Sequence, residues 1–239
     1  MNDNTLTSRT AAVIGGGTGI GAAVAVALAE AGCRVTVGGR RQEPLETVAK
    51  GHDSLAAATV DVADRQSVAA FFEEVGEPDI VVNCAGINVA PRTLAEVSPE
   101  DFDRVLAINT TGVFNVLHFA LPAMRRRGDG LVITVSSIAG LRALELAGAA
   151  YCASKFAVTC LGNYAGLECA DDGVRVTNIH PGEVNTPILD QRPVPVSAER
   201  RAAMLQPQDV AAAVLMVARL PARAHVPDLT IKPTVQKFA

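Results

Sequence analysis

Short apolar runs rich in β-branched residues recur along this chain, separated by longer Ala- and Leu-rich runs with a helical period. The strand-like runs are "TAAVIG" (10–15), "RVTVG" (34–38), "AATV" (57–60), "DIVVN" (79–83), "LVITVS" (131–136), "VRVTNI" (174–179) and "LTI" (229–231). Helical spacing falls between them at about 20–31, 42–50, 65–75, 100–126, 151–170 and 207–219. Strands that alternate with helices are joined by crossovers, so they pair in parallel and need helices over both faces. Right-handed crossovers then give an α/β, doubly wound, Rossmann-type sheet of seven strands. Such a sheet binds its ligands beyond the C-terminal ends of its strands.

The 239 residues form one such unit in this reading, because no repeat, low-complexity tract or linker divides them. Residues 1–8 are expected to be flexible. The proline-containing segment 183–206 is expected to be an irregular substrate loop or lid. A net charge of −4 offers no basic face to nucleic acid. The single basic cluster, Arg125-Arg126-Arg127, is expected to lie at a helix C-terminus facing water. No apolar run reads as a membrane span and no signal-peptide core is apparent, so a cytoplasmic protein is expected. The five cysteines, odd in number and without a CxxC pair, read as free thiols, and the scattered histidines offer no metal site.

"VIGGGTGIGAAVAVALAEAG" follows the first strand and opens the first helix. Glycines at such a junction let backbone N–H groups approach a pyrophosphate, which the positive end of the helix also attracts. The second strand ends in "VGGRRQEP", with no acid to receive ribose hydroxyls. Arg40 and Arg41 stand there instead, and guanidinium groups bind phosphate bidentately. NADP(H) is therefore favoured, with NAD(H) as the alternative in which these arginines only flank a helix. Asp61, after the third strand, is placed either to accept from an adenine amino group or to serve as a cap or turn. "NCAG" (83–86) supplies a small-residue turn after the fourth strand.

The chain has two tyrosines and four lysines, yet "YCASK" sets Tyr151 and Lys155 four residues apart. That spacing puts both on one face of a helix. The ammonium is expected to lower the phenol's pKa, making it an acid for ketone reduction or a base for alcohol oxidation. Upstream, Ser136-Ser137 ends the fifth strand and brings hydroxyls to the same edge.

The motifs "GGGTGIG", "DV", "NCAG", "INTTGVF", "VSSIAG", "YCASK" and "HPGEVNT", in this order, resemble the compact single-domain branch of the short-chain dehydrogenase/reductase family. The resemblance implies hydride transfer between a nicotinamide and a small carbonyl or alcohol substrate. It implies Tyr151 as acid/base, Lys155 at its side and on the nicotinamide ribose, Ser137 on the carbonyl, and Asn109 holding a water that links Lys155 to solvent. It further implies Gly15, Thr18, Gly19, Ile20 and Gly21 around the phosphates and Asp61 and Val62 at the adenine. Asn83, Ala85 and Gly86 would lie along the cofactor, with Pro181, Gly182, Val184 and Thr186 on the nicotinamide side. Assembly into homodimers or homotetramers through the helices at 102–124 and 151–168 is implied too.

The chain also departs from the family pattern. Ile14 replaces the usual Thr, and Cys84 a usual Asn or Ala. Ser137 and Tyr151 stand fourteen positions apart, one more than is common. His180 fills a usually small position, as a core or cofactor-side residue or as a substrate contact. The ending "AHVPDLTIKPTVQKFA" lacks the frequent glycine-rich segment and resembles NADP-dependent reductases of hydroxy acids and small polar alcohols. Substrate identity is assigned to residues 187–206, 141–149 and 88–93.

Overall fold

The computed structural model describes residues 6–237. Seven strands form one fully parallel sheet: β1 (Thr10–Ile14), β2 (Arg34–Gly39), β3 (Leu55–Thr59), β4 (Ile80–Asn83), β5 (Gly130–Val135), β6 (Val174–Pro181) and β7 (Asp228–Ile231). Their spatial order is β3-β2-β1-β4-β5-β6-β7, the expected doubly wound sheet. The direction in which successive strands are added reverses between β1 and β4, and the crevice of such a sheet opens at that switch.

Both faces are covered, as parallel pairing requires. On β1, Ala11 and Val13 face one core with the helices α1 (Gly19–Glu30) and α8 (Pro207–Ala218). Ala12 and Ile14 face the opposite core, under α3 (Arg65–Val75), α5 (Gly112–Arg127) and α6 (Ala149–Glu168). The remaining helices are α2 (Gln42–Ala49), α4 (Pro99–Leu106) and the short α7 (Ala198–Ala202). Every residue of β4 and β5 is buried, which is why these central strands read as unbroken apolar runs.

Four details differ from expectation. β3 begins at Leu55, two residues early, because its alanines blur the strand signal. The expected helix over 100–126 contains a π-helical turn at Ala107–Thr111, between α4 and α5. The segment 183–206 is not wholly irregular: it carries a 3₁₀ turn at Pro187–Gln191 and α7, capped by Ser197. At the N-terminus, residues 1–5 lie outside the described residues. Leu6, however, is buried, and its N–H donates to the Ala31 carbonyl at 3.1 Å, so the expected flexibility does not extend to it.

The continuous helical stretch Pro99–Arg127 is long and apolar enough, by length and composition, to cross a membrane. Half of its most apolar window is buried inside the molecule, as a core helix beneath a sheet requires. At its end Gly128 turns left-handed, and Arg125 and Arg126 pair with Glu168, Asp172 and Glu77 at the surface. All five cysteines are free thiols.

Candidate active site at the sheet's C-terminal edge

A cavity of about 570 Å³ opens beyond the C-terminal ends of the central strands, where their loops meet. Its size suits a cofactor or small-ligand site. The turn after β1 forms one end. Gly15 has a φ of +78°, and a Cβ there would lie 2.6 Å from the Ala85 backbone nitrogen. Glycine is required for that crossing of two backbones. A Cβ on Gly21 would sit 2.1 Å from the Gly15 carbonyl oxygen, so the turn packs directly onto the first turn of α1. Thr18 occupies the N-cap of α1 but makes no capping bond with its side chain. The helix start is thus bordered by Gly15, Thr18, Gly19, Ile20 and Gly21, all on the cavity wall.

Arg40 and Arg41 line the same end, after β2. Neither forms an ion pair among the described residues. Val60, Val62, Ala85 and Gly86 continue the wall, and Pro181, Gly182, Val184 and Thr186 close it from the β6 side.

Three residues expected in the site do not reach its surface. Asp61 bends the chain instead: its carboxylate accepts from the Ala63 N–H at 3.0 Å, while Asp64 caps α3. Asn83 is buried at the end of β4. Its Oδ1 accepts from Ala85 N–H at 3.0 Å, and its Nδ2 has no partner, an orphan donor beside the cavity wall. Asn109 is wholly buried within the π-helical turn. Its Oδ1 accepts from Ile87 N–H at 2.8 Å, and its Nδ2 donates to the Ile87 carbonyl and to Ser154 Oγ, both at 2.9 Å. The side chain therefore clamps the loop after β4 to α6. It stays close to Lys155 even so: a Cβ on Gly86 would lie 3.5 Å from both Asn109 Oδ1 and Lys155 Nζ.

Tyr151, Lys155 and Ser137 share the opposite end of the cavity. Tyr151 and Lys155 rise from α6 one turn apart, and the ammonium nitrogen lies 5.6 Å from the centre of the phenol ring. Lys155 Nζ donates to the Val135 carbonyl at 2.8 Å. Burial pushes the Lys155 pKa down to about 8, because its charge is withdrawn from water. Burial likewise pushes the Tyr151 phenol up to about 12, opposed by a hydrogen bond with Ser137 and by the charge of Arg92. Burial is the largest influence on the phenol, where the sequence led us to expect the Lys155 ammonium, and burial also weakens the lysine's own charge.

The fully buried His180 is a supporting residue and not a substrate contact. Its ring bonds Asp228 Oδ1 at 2.8 Å through Nε2 and approaches the Ser137 carbonyl at 3.3 Å through Nδ1. The cavity also takes in Asn88, Arg92, Leu144, Ile188 and Arg192, from the segments assigned to substrate choice. Glu183 and Gln236 were not singled out beforehand. Gln236 accepts from Glu183 N–H at 2.9 Å, tying the C-terminal tail across the cavity mouth. The only sequence signal for this contact was the unusual C-terminal ending.

The residues present fit a dinucleotide. The glycine turn leaves room where a side chain would block approach, Arg40 and Arg41 line that end, and Lys155 supplies a donor at the opposite end.

The depressed lysine fixes a pH response. Below pH 8, Lys155 is protonated in both folded and unfolded chains, and the full penalty of burying the charge applies. As pH rises from about 8 towards 10.5, the folded chain loses its proton first, so stability increases. At about 1.4 kcal/mol per pH unit between the two values, the penalty lifted is on the order of 3 kcal/mol. Denaturant titration at pH 7.5 and 9.5 is expected to show the wild type gaining stability relative to Lys155→Met. Parallel behaviour of the two proteins would contradict the buried charge. Above pH 10 the raised Tyr151 acts in the opposite direction, since the unfolded phenol ionises first.

Comparison with known proteins agrees with this architecture. The family model for short chain dehydrogenase matches residues 9–194. A glycine betaine reductase of Emericella nidulans is 34% identical over 95% of this chain, which spans only 19% of that longer protein. An uncharacterized oxidoreductase of Staphylococcus aureus (strain MW2) is 32% identical, over 95% of this chain and 98% of its own length. Among solved structures, the closed form of a serine dehydrogenase complexed with NADP+ superposes with a TM-score of 0.89 at 28% identity, covering 96% of this chain and 97% of that one. An alcohol dehydrogenase from the archaeon Thermococcus sibiricus, complexed with 5-hydroxy-NADP, superposes at 0.85 and 29% identity, over 97% and 99% of the two chains. With a parallel sheet in this strand order and a glycine turn facing a Ser-Tyr-Lys cluster, the chain belongs to the short-chain dehydrogenase/reductase family, a group of oxidoreductases that use a nicotinamide dinucleotide on small-molecule substrates.

Proposed function

We propose that this protein interconverts a carbonyl and a secondary alcohol with NADP(H), using Tyr151 as the proton donor and acceptor. The observation that carries this reading is the convergence of Tyr151, Ser137 and Lys155 at one end of a cavity whose other end is a glycine turn. When bound, the cofactor supplies or accepts the hydride. Ser137 hydrogen-bonds the substrate oxygen and holds it beside the phenol. Tyr151 gives its proton to that oxygen in reduction and takes it back in oxidation. Lys155 holds positive charge next to the phenolate as it forms. Asn109 acts through Lys155 and Tyr151, by fixing Ile87 and Ser154, and Ser154 Oγ in turn donates to the Tyr151 carbonyl at 2.8 Å.

The preference for NADP(H) rests on Arg40 and Arg41, which line the cavity with no acidic partner among the described residues. NADP-type ligands in the serine and alcohol dehydrogenase structures support it. In this reading the chain is one dinucleotide-binding unit with residues 183–206 as its substrate loop. Its copies associate through α5 and α6, whose outward faces expose Phe114, Phe156, Tyr164 and Leu167. Sedimentation as a monomer at micromolar concentration would contradict that association.

Tyr151→Phe is expected to lower carbonyl reduction by about 10²–10⁴-fold while NADPH still binds; unchanged turnover excludes Tyr151 as the proton donor. Arg40→Asp is expected to shift the NADPH-to-NADH ratio of kcat/KM by about 10–100-fold, the range of one charge-assisted hydrogen bond. An unchanged ratio would make Arg40 a surface charge.

A further inference from the structure

The cavity wall is strongly cationic. Among the described residues it presents Arg40, Arg41, Arg92, Arg104, Lys155 and Arg192 against a single acid, Glu183. The arginines at the glycine-turn end have phosphates to meet in the reading above. Arg92 and Arg192 do not: they come from the loops after β4 and β6 and stand at the Tyr151 end.

Arg92 is held in place without being neutralised. Its backbone carbonyl accepts from Ala149 N–H at 2.9 Å, in the first turn of α6, two residues before Tyr151. Its side chain packs against Gly148, where a Cβ would lie 2.8 Å from Arg92 Cδ. Among the described residues the guanidinium reaches only carbonyl oxygens, those of Gln191 at 2.9 Å and Ala147 at 3.5 Å, and its buried Nε has no partner. Among the described residues it forms no ion pair. Arg192 is close enough to disfavour the Arg92 charge, and its own acid, Glu183 at 2.8 Å, is shared with Arg200 at 3.2 Å. Two guanidinium groups on one part-buried wall repel one another, and a bound anion relieves the repulsion.

Deepening the carbonyl-reductase reading, on which it rests, we propose that the substrate is a short oxo or hydroxy carboxylic acid whose carboxylate is held by Arg92 with Arg192. A planar two-oxygen anion matches the N–H groups left free on these forks. The cavity of about 570 Å³ must also hold a dinucleotide, which leaves room for a short molecule only. Arg92 is bonded to the first turn of α6, two residues before Tyr151, and lines the same cavity, so one short molecule spans the guanidinium and the phenol.

The test compares matched probes with NADPH: 2-oxo, 3-oxo and 4-oxo acids, their methyl esters, and dihydroxyacetone phosphate. The wild type is expected to prefer one acid over its ester by about 10–100-fold in kcat/KM. That ratio should fall at least about tenfold in Arg92→Gln and in Arg192→Gln. In case either variant folds poorly, the wild type alone provides a second measurement. Butyrate should inhibit reduction of the ester competitively, with a Ki at least about tenfold below that of butyramide. Equal use of acid and ester, or equal inhibition by butyrate and butyramide, overturns the proposal while leaving carbonyl reduction standing. Preference for the phosphorylated ketone over every acid overturns the carboxylate assignment. No turnover of any acid, ester or phosphate overturns the carbonyl reading itself, and the proposal with it.

Discussion

A strand paired in parallel with its neighbour can be reached only by a crossover, and each crossover must cover a face of the sheet. That constraint organises this molecule. It forces the apolar residues of β4 and β5 inward on both sides, so these strands carry no polar alternation. It also sends the connections that leave β1, β4, β5 and β6 from the same edge. The glycine turn, the Ala85–Gly86 bend, Ser137 and the Pro181–Gly182 segment meet there because topology leaves them nowhere else to go. The reversal between β1 and β4 opens the crevice in which they converge.

The site then works against the low polarity that the sheet creates. Lys155 is almost fully buried and satisfies one N–H on the Val135 carbonyl, at the end of a strand that is itself buried. Its charge costs folding free energy at neutral pH, and the phenol of Tyr151 resists ionisation for the same reason. A site in this condition holds its proton until a partner changes the local field. The neighbouring Arg92 and the hydrogen bond with Ser137 already act in that direction on Tyr151. The cavity's excess of positive charge prepares it for anionic ligands at both ends.

Much of this was legible in the sequence, for physical reasons that are specific to particular residues. Central strands declare themselves because burial on two faces demands unbroken β-branched runs, as in "IVV" at 80–82 and "LVITV" at 131–135. The four-residue spacing of Tyr151 and Lys155 survives translation into structure because a helix fixes it locally. Features set by long-range packing were not legible. The π-helical turn at Asn109 uses residues that read equally well as α-helix. The reversal of the phenol's pKa depends on burial that spacing cannot report. Arg92 stood in a loop assigned to substrate choice, but only the fold brings it to the helix that carries Tyr151 and sets it near Arg192. The contact of Gln236 with Glu183 joins segments 53 residues apart.

Burial, and not the ordinary chemistry of a tyrosine beside a lysine, governs ionisation at this site. With two tyrosines and no tryptophan, the chain is well suited to following phenolate formation by ultraviolet absorption. The difference between wild type and Tyr151→Phe isolates the Tyr151 phenol. This difference is expected to stay flat past pH 10 and to rise only as pH approaches about 12. A phenolate that forms at or below about pH 10, the ordinary value for tyrosine, would show that Lys155 outweighs burial and would contradict this expectation.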